Sequence, residues 1–264
     1  MNVDLNGESR LFPIIGEPVR FVRSPQSLTA SFAAQGHNGM CIPMEVPDAD
    51  LDRVMQGLAV TRNIDGLLVT MPHKATAFDY CATWSETAGL LRCVSVMRRN
   101  ADRTWHGDML DGRAFVKAQV DAGANPEDAR VLLVGAGSAG AAIAIALLGA
   151  GVRELRIHDS DDARVEALIA LAPQSYRERM AASPADPHGC DMVCNATPMG
   201  LHAADPPPLD VKRLSSSMFV GDVIAGHGLT PLLQAAQKAG CMTANGAQMV
   251  DAVQEMMVGF MLGK

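Results

Sequence analysis

Blocks of apolar residues alternate with polar stretches along this chain, and their lengths and periods predict strands and helices in turn. Apolar runs at 11–16, 40–46 and 65–72 read as strands, the last almost wholly apolar and therefore central in its sheet. Shorter strands are expected at 94–98 and 104–107. Ser24-Pro25 opens a helix over 24–34, since proline suits a first helical turn. Over 48–58, Leu51, Val54, Met55 and Leu58 share one helical face. A helical segment follows Lys74, and another begins at Asp111. In the second half, strands are expected at 130–134, 154–159, 190–196, 218–224 and 241–245, and a long apolar helix at 247–262. Alternation of this kind implies an α/β protein with mostly parallel sheets.

One run is more specific than the rest. Val131-Leu-Leu-Val-Gly135-Ala136-Gly137-Ser138-Ala139-Gly140 spaces three glycines as G-x-G-x-x-G between an apolar strand and a helix. Gly135 permits a tight turn, Gly137 lets the backbone approach a pyrophosphate, and Gly140 lets the helix pack on the strand. Ala136, Ser138 and Ala139 complete a loop that leads into a helix N-terminus, whose N–H groups suit an anion. The next strand ends at Asp159, 19 residues beyond Gly140. A carboxylate there accepts the ribose hydroxyls and repels a 2′-phosphate. No arginine follows Asp159 until Arg164, so NAD is expected over NADP. The alternative makes Asp159 the cap of the next helix.

Composition narrows the class. The chain has 264 residues, enough for one large domain or two modest ones, and 48% of them are hydrophobic. A net charge of −7 without a basic run argues against nucleic acid as the main partner. No apolar stretch approaches the ~18 residues of a membrane helix. Six scattered cysteines lack zinc spacing and read as reduced, buried thiols, so no metal is expected. The N-terminus lacks the pattern of an export signal, which favours a cytoplasmic protein. A monomer or a homodimer fits equally.

Two places offer chemistry. Val69-Thr70-Met-Pro-His-Lys74 ends an apolar strand, and ligands of such sheets bind beyond the carboxyl ends. A lysine there is placed to exchange a proton with a substrate; the plainer reading is a solvent-facing lysine. Asp111, in Gly107-Asp-Met-Leu-Asp111-Gly, sits at a loop-to-helix junction and reads as an acid–base partner or as an N-cap. Asn195-Ala-Thr197-Pro-Met199-Gly200 is a turn after an apolar strand. His73, His106, His158 and His227 lack metal-like partners and read as structural or surface groups.

Taken in order, Gly16-x-Pro, Ser24-Pro, the lysine motif, Gly107-x-x-x-Asp111-Gly, the glycine run, the Asn195–Gly200 turn and Asp222-Val223-Ile resemble the shikimate dehydrogenase family over nearly the whole chain. The resemblance implies a substrate domain over 1–111, completed by a final helix returning within 246–264, and an NAD-binding Rossmann domain over 112–245. It implies reversible hydride transfer between a nicotinamide and a secondary alcohol of shikimate or quinate, within aromatic amino acid biosynthesis. It makes Lys74 and Asp111 a catalytic pair touching that alcohol. Asn195, Thr197, Met199 and Val223 would join the glycine loop and Asp159 around the cofactor. Ser24, Thr70, Ser95 and Gln254 would bind substrate.

The departures fall in the substrate shell. The family's S-x-S pair reads Val22-Arg23-Ser24, its N-T-D run reads Met109-Leu110-Asp111, and one asparagine falls on Ser95. A tyrosine position falls on Ala225, and the glutamine of the last helix falls on Val253, one residue from Gln254. Arg20, Arg23 and Arg92 are candidate replacement carboxylate partners. A rebuilt pocket for a less polar cyclic hydroxy acid is therefore expected, with weak activity on shikimate or quinate. The other reading is an NAD-binding paralogue with little turnover, acting as a sensor or binding module.

Overall fold

A computed structural model describes residues 5–20, 22, 24–202, 204–225 and 228–263, so Arg23 and His227 lie outside the described residues. Two compact units emerge. One comprises residues up to Leu110 together with the stretch from Gln254 onward, and the other is Asp111–Val253.

In the first unit, β1 (Arg10–Gly16) leads to α1 (Ser24–Ala34), then to β2 (Gly39–Glu45) and, after a short 3₁₀ turn, to α2 (Leu51–Val60). β3 (Gly66–Val69), α3 (Lys74–Phe78), β4 (Cys81–Trp84), α4 (Glu86–Leu91), β5 (Val96–Arg99) and β6 (Trp105–Asp108) follow. The sheet order is β2-β1-β3-β5-β6-β4, with β5 antiparallel to both its neighbours. Every residue of β3 is buried, as its unbroken apolar run requires. The rings of Phe12 on β1 and Phe32 on α1 stack at 4.3 Å and join strand to helix. At the carboxyl end of the sheet, a Cβ on Gly16 would lie 2.3 Å from Thr70 Cγ2 and 2.7 Å from Met71 O. Only glycine lets those two strand ends close together.

The second unit opens with α5 (Asp111–Asp121) and continues through β7 (Arg130–Val134), α6 (Ser138–Gly149), β8 (Glu154–His158), α7 (Asp162–Leu171), α8 (Gln174–Arg177) and β9 (Met180–Ala182). It closes with β10 (Met192–Asn195), β11 (Phe219–Asp222), α9 (Pro231–Lys238), β12 (Met242–Ala244) and α10 (Gly246–Met261). All six strands run parallel in the order β12-β11-β10-β7-β8-β9. α6 is apolar all round because it packs on the sheet and on α5. A Cβ on Gly112 would fall 1.9 Å from Ala142 O. Gly112→Ala is therefore expected to destabilise the chain by about 1–3 kcal/mol, read as a fall in the denaturant midpoint. An unchanged midpoint would mean that α5 does not rest on the α6 backbone.

α10 belongs to both units. Its Gly246 fits against Val223 O, where a Cβ would lie at 2.3 Å, whereas Phe260 stacks on His106 of the first unit at 5.6 Å. The division therefore falls at Gln254 rather than at the helix start, and Asp111 opens the second unit. Two strands escape the apolar pattern. β4 and β9 are edge strands of four and three residues, each with one buried residue, too short to show a period. The helical segment at Lys74 is five residues long and is followed by the strand β4. All six cysteines are free and buried, and burial pushes the Cys41, Cys81 and Cys194 thiols up to about 12. Thiols so placed are unreactive. Among the described residues no helix is long and apolar enough to cross a membrane, and no cluster could hold a metal ion.

Candidate active site and dinucleotide loop

The glycine run forms the turn from β7 into α6. Gly135 takes φ +106°, its N–H donates to His158 O at 2.7 Å, and a Cβ there would sit 2.8 Å from the Ala196 carbonyl carbon. A Cβ on Gly140 would lie 1.9 Å from Gly135 O, so helix and turn touch backbone to backbone. Gly137 differs: nothing lies within 4 Å of its would-be Cβ. It caps α6 without a side-chain bond, at the end where the first helical N–H groups lack helical partners. Open space beside Gly137 and a 12-residue helix aimed at it fit a pyrophosphate.

Asp159 follows β8. Its Oδ2 accepts the Ala136 N–H at 2.7 Å, and its Oδ1 accepts the Asp161 N–H at 3.0 Å. Burial alone would raise its pKa, but these two donors, with Arg164 nearby, hold it below the ordinary carboxylate value. It thus stays charged at neutral pH. The cap of α7 is Asp161, whose side chain accepts the Ala163 N–H at 3.1 Å, so the capping alternative for Asp159 is set aside. An open depression of about 370 Å³, lined by His158, Asp159, Val165 and Pro184 among others, borders the carboxylate.

The Asn195–Gly200 turn is knit from within. Asn195 is fully buried; its Nδ2 donates to Asp222 Oδ1 at 3.0 Å and to Met199 O at 3.2 Å. Its Oδ1 accepts from the Thr197 N–H at 3.0 Å and the Thr197 hydroxyl at 2.7 Å. Thr197 Oγ1 in turn accepts the Met199 N–H at 3.1 Å. The Val223 N–H donates to Asn195 O at 3.1 Å. Asp222 also accepts from the Thr230 hydroxyl at 2.6 Å and the Ile224 N–H at 3.1 Å. Burial raises the Asp222 pKa against the pull of those bonds. Within this unit the structure gathers Gly135, Asn195, Thr197, Met199 and Val223. The sequence reading passed over Asp222 and Thr230 as site residues, although Thr230-Pro231 is a helix-start signal.

In the first unit, Lys74 is half-buried and opens α3, and its carbonyl accepts the Val94 N–H at 2.9 Å. Thr70 is one turn earlier, its N–H donating to Ile15 O at 2.9 Å. His73, wholly buried, is structural: its Nε2 lies 2.7 Å from Val46 O and donates to it. Its Nδ1 makes no hydrogen bond, with Asp48 Oδ1 3.5 Å away. Ser95 is 1% exposed, and its Oγ accepts the Leu110 N–H at 2.9 Å. Ser24 is half-buried at the start of α1, and Gln254 is buried on α10. Met109 and Leu110, standing where the family pattern is polar, are core residues at 0% and 1% exposure. Arg92 pairs with Asp79 at 3.1 Å over the Phe78 ring and is thereby committed to the surface of α3. Arg20 lines an open depression off β1 and β2 with Gln26 and Glu45. In the second unit, Asp111 is buried in the first turn of α5.

A parallel sheet with a glycine turn, an acidic strand end and a buried carboxylate beneath a second turn belongs to a two-unit α/β oxidoreductase with a Rossmann-type domain. The family pattern described as shikimate dehydrogenase substrate binding domain matches residues 14–97. A shikimate dehydrogenase (NADP(+)) of Rubrobacter xylanophilus is 34% identical over 93% of this chain and 88% of its own length. Among solved structures, shikimate 5-dehydrogenase of Listeria monocytogenes in complex with shikimate and NAD superposes with a TM-score of 0.90 at 25% identity, covering 100% of this chain and 95% of that one. Quinate dehydrogenase of Corynebacterium glutamicum in complex with NAD gives 0.87 at 28% identity, covering 97% and 94%. The chain belongs to the shikimate dehydrogenase family.

Proposed function

We propose that this chain is an NAD-preferring dehydrogenase acting on a secondary alcohol of a cyclic hydroxy acid of the shikimate or quinate type, through a less polar substrate shell. The observation that carries the cofactor choice is Asp159, a charged carboxylate tied to the Ala136 N–H of the glycine loop. Curated relatives are named for NADP(+), and solved relatives hold NAD in some cases and NADP in others, so the choice rests on this residue. Gly135, Ala136, Gly137, Ser138, Ala139 and Gly140 hold the pyrophosphate, and Thr197, Met199 and Val223 line the nicotinamide end, with Asn195 beside them.

A bound nicotinamide dinucleotide supplies the hydride acceptor or donor. Lys74 takes the hydroxyl proton when the alcohol is oxidised and returns it to the carbonyl oxygen in the reverse direction. The family resemblance names Asp111 as the acid of the catalytic pair. Ser24, Thr70, Ser95 and Gln254 bind substrate in this reading. Ser95 and Gln254 do so from buried positions, so their share is to shape the pocket wall. Met109 and Leu110 stand where the pattern is polar and, as core residues, offer a substrate no hydrogen bond, which favours one with fewer hydroxyls. The same residues favour the second reading, a dinucleotide binder with little turnover.

Initial rates of NADH and NADPH formation across a panel of cyclic hydroxy acids decide among these. The expected result is kcat/KM with NAD at least about tenfold above NADP, and weak turnover of shikimate. Equal or better use of NADP removes the NAD preference. Turnover of shikimate at ordinary biosynthetic rates removes the rebuilt shell. No turnover of any member, with NAD still bound, leaves the binding module. Asp159→Ser should shift the NAD-to-NADP ratio toward NADP by roughly 10- to 100-fold, as the fixed charge disappears; an unmoved ratio assigns the choice elsewhere.

A further inference from the structure

Asp222 is 1% exposed at the end of β11, yet it gathers donors from three places: Asn195 on β10, Ile224 in its own loop, and Thr230 at the cap of α9. A buried carboxylate is expensive unless bonded, and a turn that needed only closing has cheaper solutions. Its chemistry has a directional consequence. An ionised carboxylate only accepts, so Asn195 must turn its NH₂ toward Asp222. With that end fixed, Oδ1 faces Thr197, and both Thr197 donors close on it. The Met199 N–H is then held by Thr197 and the Met199 carbonyl by Asn195. On the other side, Ile224 is held by Asp222 directly, whereas the Val223 N–H goes to the main-chain carbonyl of Asn195, where the ladder of β10 and β11 continues. One carboxylate thus braces two turns, taking the Asn195 NH₂ in the orientation that Met199 O and the Thr197 N–H also require and holding Ile224 directly.

Those turns lie where the sheet reverses its order. From β7 the chain proceeds outward to β8 and β9, then crosses to β10 and β11 on the other side. Ligands of such sheets bind at that switch point, between the loops that follow the two central strands. The loops are Gly135–Gly140 after β7 and Asn195–Gly200 after β10, and Gly135 already abuts Ala196.

We propose that Asp222 is a positioning residue for dinucleotide binding, acting through the Asn195 side chain to hold the Thr197–Met199 turn, and through its own bond to the Ile224 N–H to hold the loop after β11, against the glycine loop. This rests on the dinucleotide reading above. The test is calorimetric titration of the full chain with NAD, alongside thermal unfolding. Asp222→Asn is expected to raise the NAD Kd about tenfold, Asn195→Ala to do the same, and the double variant to go no further, because both changes cut one chain of bonds. A lowered Tm with unchanged Kd in Asp222→Asn would make the carboxylate mere scaffold and overturn the proposal. So would a double variant whose loss is the product of the two singles. If Asp222→Asn does not fold, Thr230→Val reads the same carboxylate from its other oxygen, with about a threefold rise expected in Kd; no rise overturns the proposal. Failure of the unaltered chain to bind NAD or NADP removes the dinucleotide reading itself, an outcome distinct from variants that bind as tightly as their parent.

Discussion

Replacing Lys74 with alanine is expected to lower kcat by about a thousandfold, within the span that a positioned acid–base group contributes. The fold should survive. Lys74 opens a short helix, alanine is the best helix former, and the bond from the Val94 N–H to the carbonyl at position 74 is a backbone bond that alanine keeps. NAD affinity should stay within about twofold, since the dinucleotide loop lies on other elements of the other unit. Loss of kcat with retained Kd and Tm is the signature of a proton-transfer role. A variant that keeps kcat within about fivefold of the parent would return Lys74 to the ordinary class of solvent-facing lysines.

Gly140→Ala is expected to weaken NAD binding more than about a hundredfold and to lower the Tm as well. The new Cβ would meet Gly135 O at 1.9 Å and Gly135 C at 2.7 Å. Both are backbone atoms, so no rotamer change relieves the clash, and the turn must open. Gly137→Ala is the informative contrast. The protein itself leaves that Cβ room, so Tm should hardly move while NAD affinity falls. Titration of both variants against the parent, with thermal melts, gives the pattern. If Gly137→Ala binds NAD as well as the parent does, the ligand does not approach that glycine, and the pyrophosphate assignment is wrong.

The glycine loop and its strands were legible because their requirements are local. Three glycines at fixed spacing, an apolar run before and small apolar residues after can be read within a dozen positions. The reading of β3 as a central strand had the same basis, and so did the helix opened by Ser24-Pro25. β4 and β9 were not legible, since three or four residues at a sheet edge carry no period. Ser95 illustrates the limit at the site. The resemblance placed it at a substrate-binding position, but only the fold could show its hydroxyl accepting the Leu110 N–H. Asp222 illustrates the converse, a residue inside a noticed motif whose partners lie at positions 195 and 230.

What the sequence determined by itself was the alternation of the longer strands and helices, the glycine turn, the acidic strand end and the family, because each follows from residues close together along the chain or from motifs recurring in order. What only the tertiary structure decided was how polar side chains are spent. Asp159 is tied to the glycine loop and leaves the cap to Asp161, Asn195 is saturated by its own turn together with Asp222, and Met109 and Leu110 are core. The physical reason is that a buried polar group must find partners wherever the fold brings them, and those partners are distant in sequence.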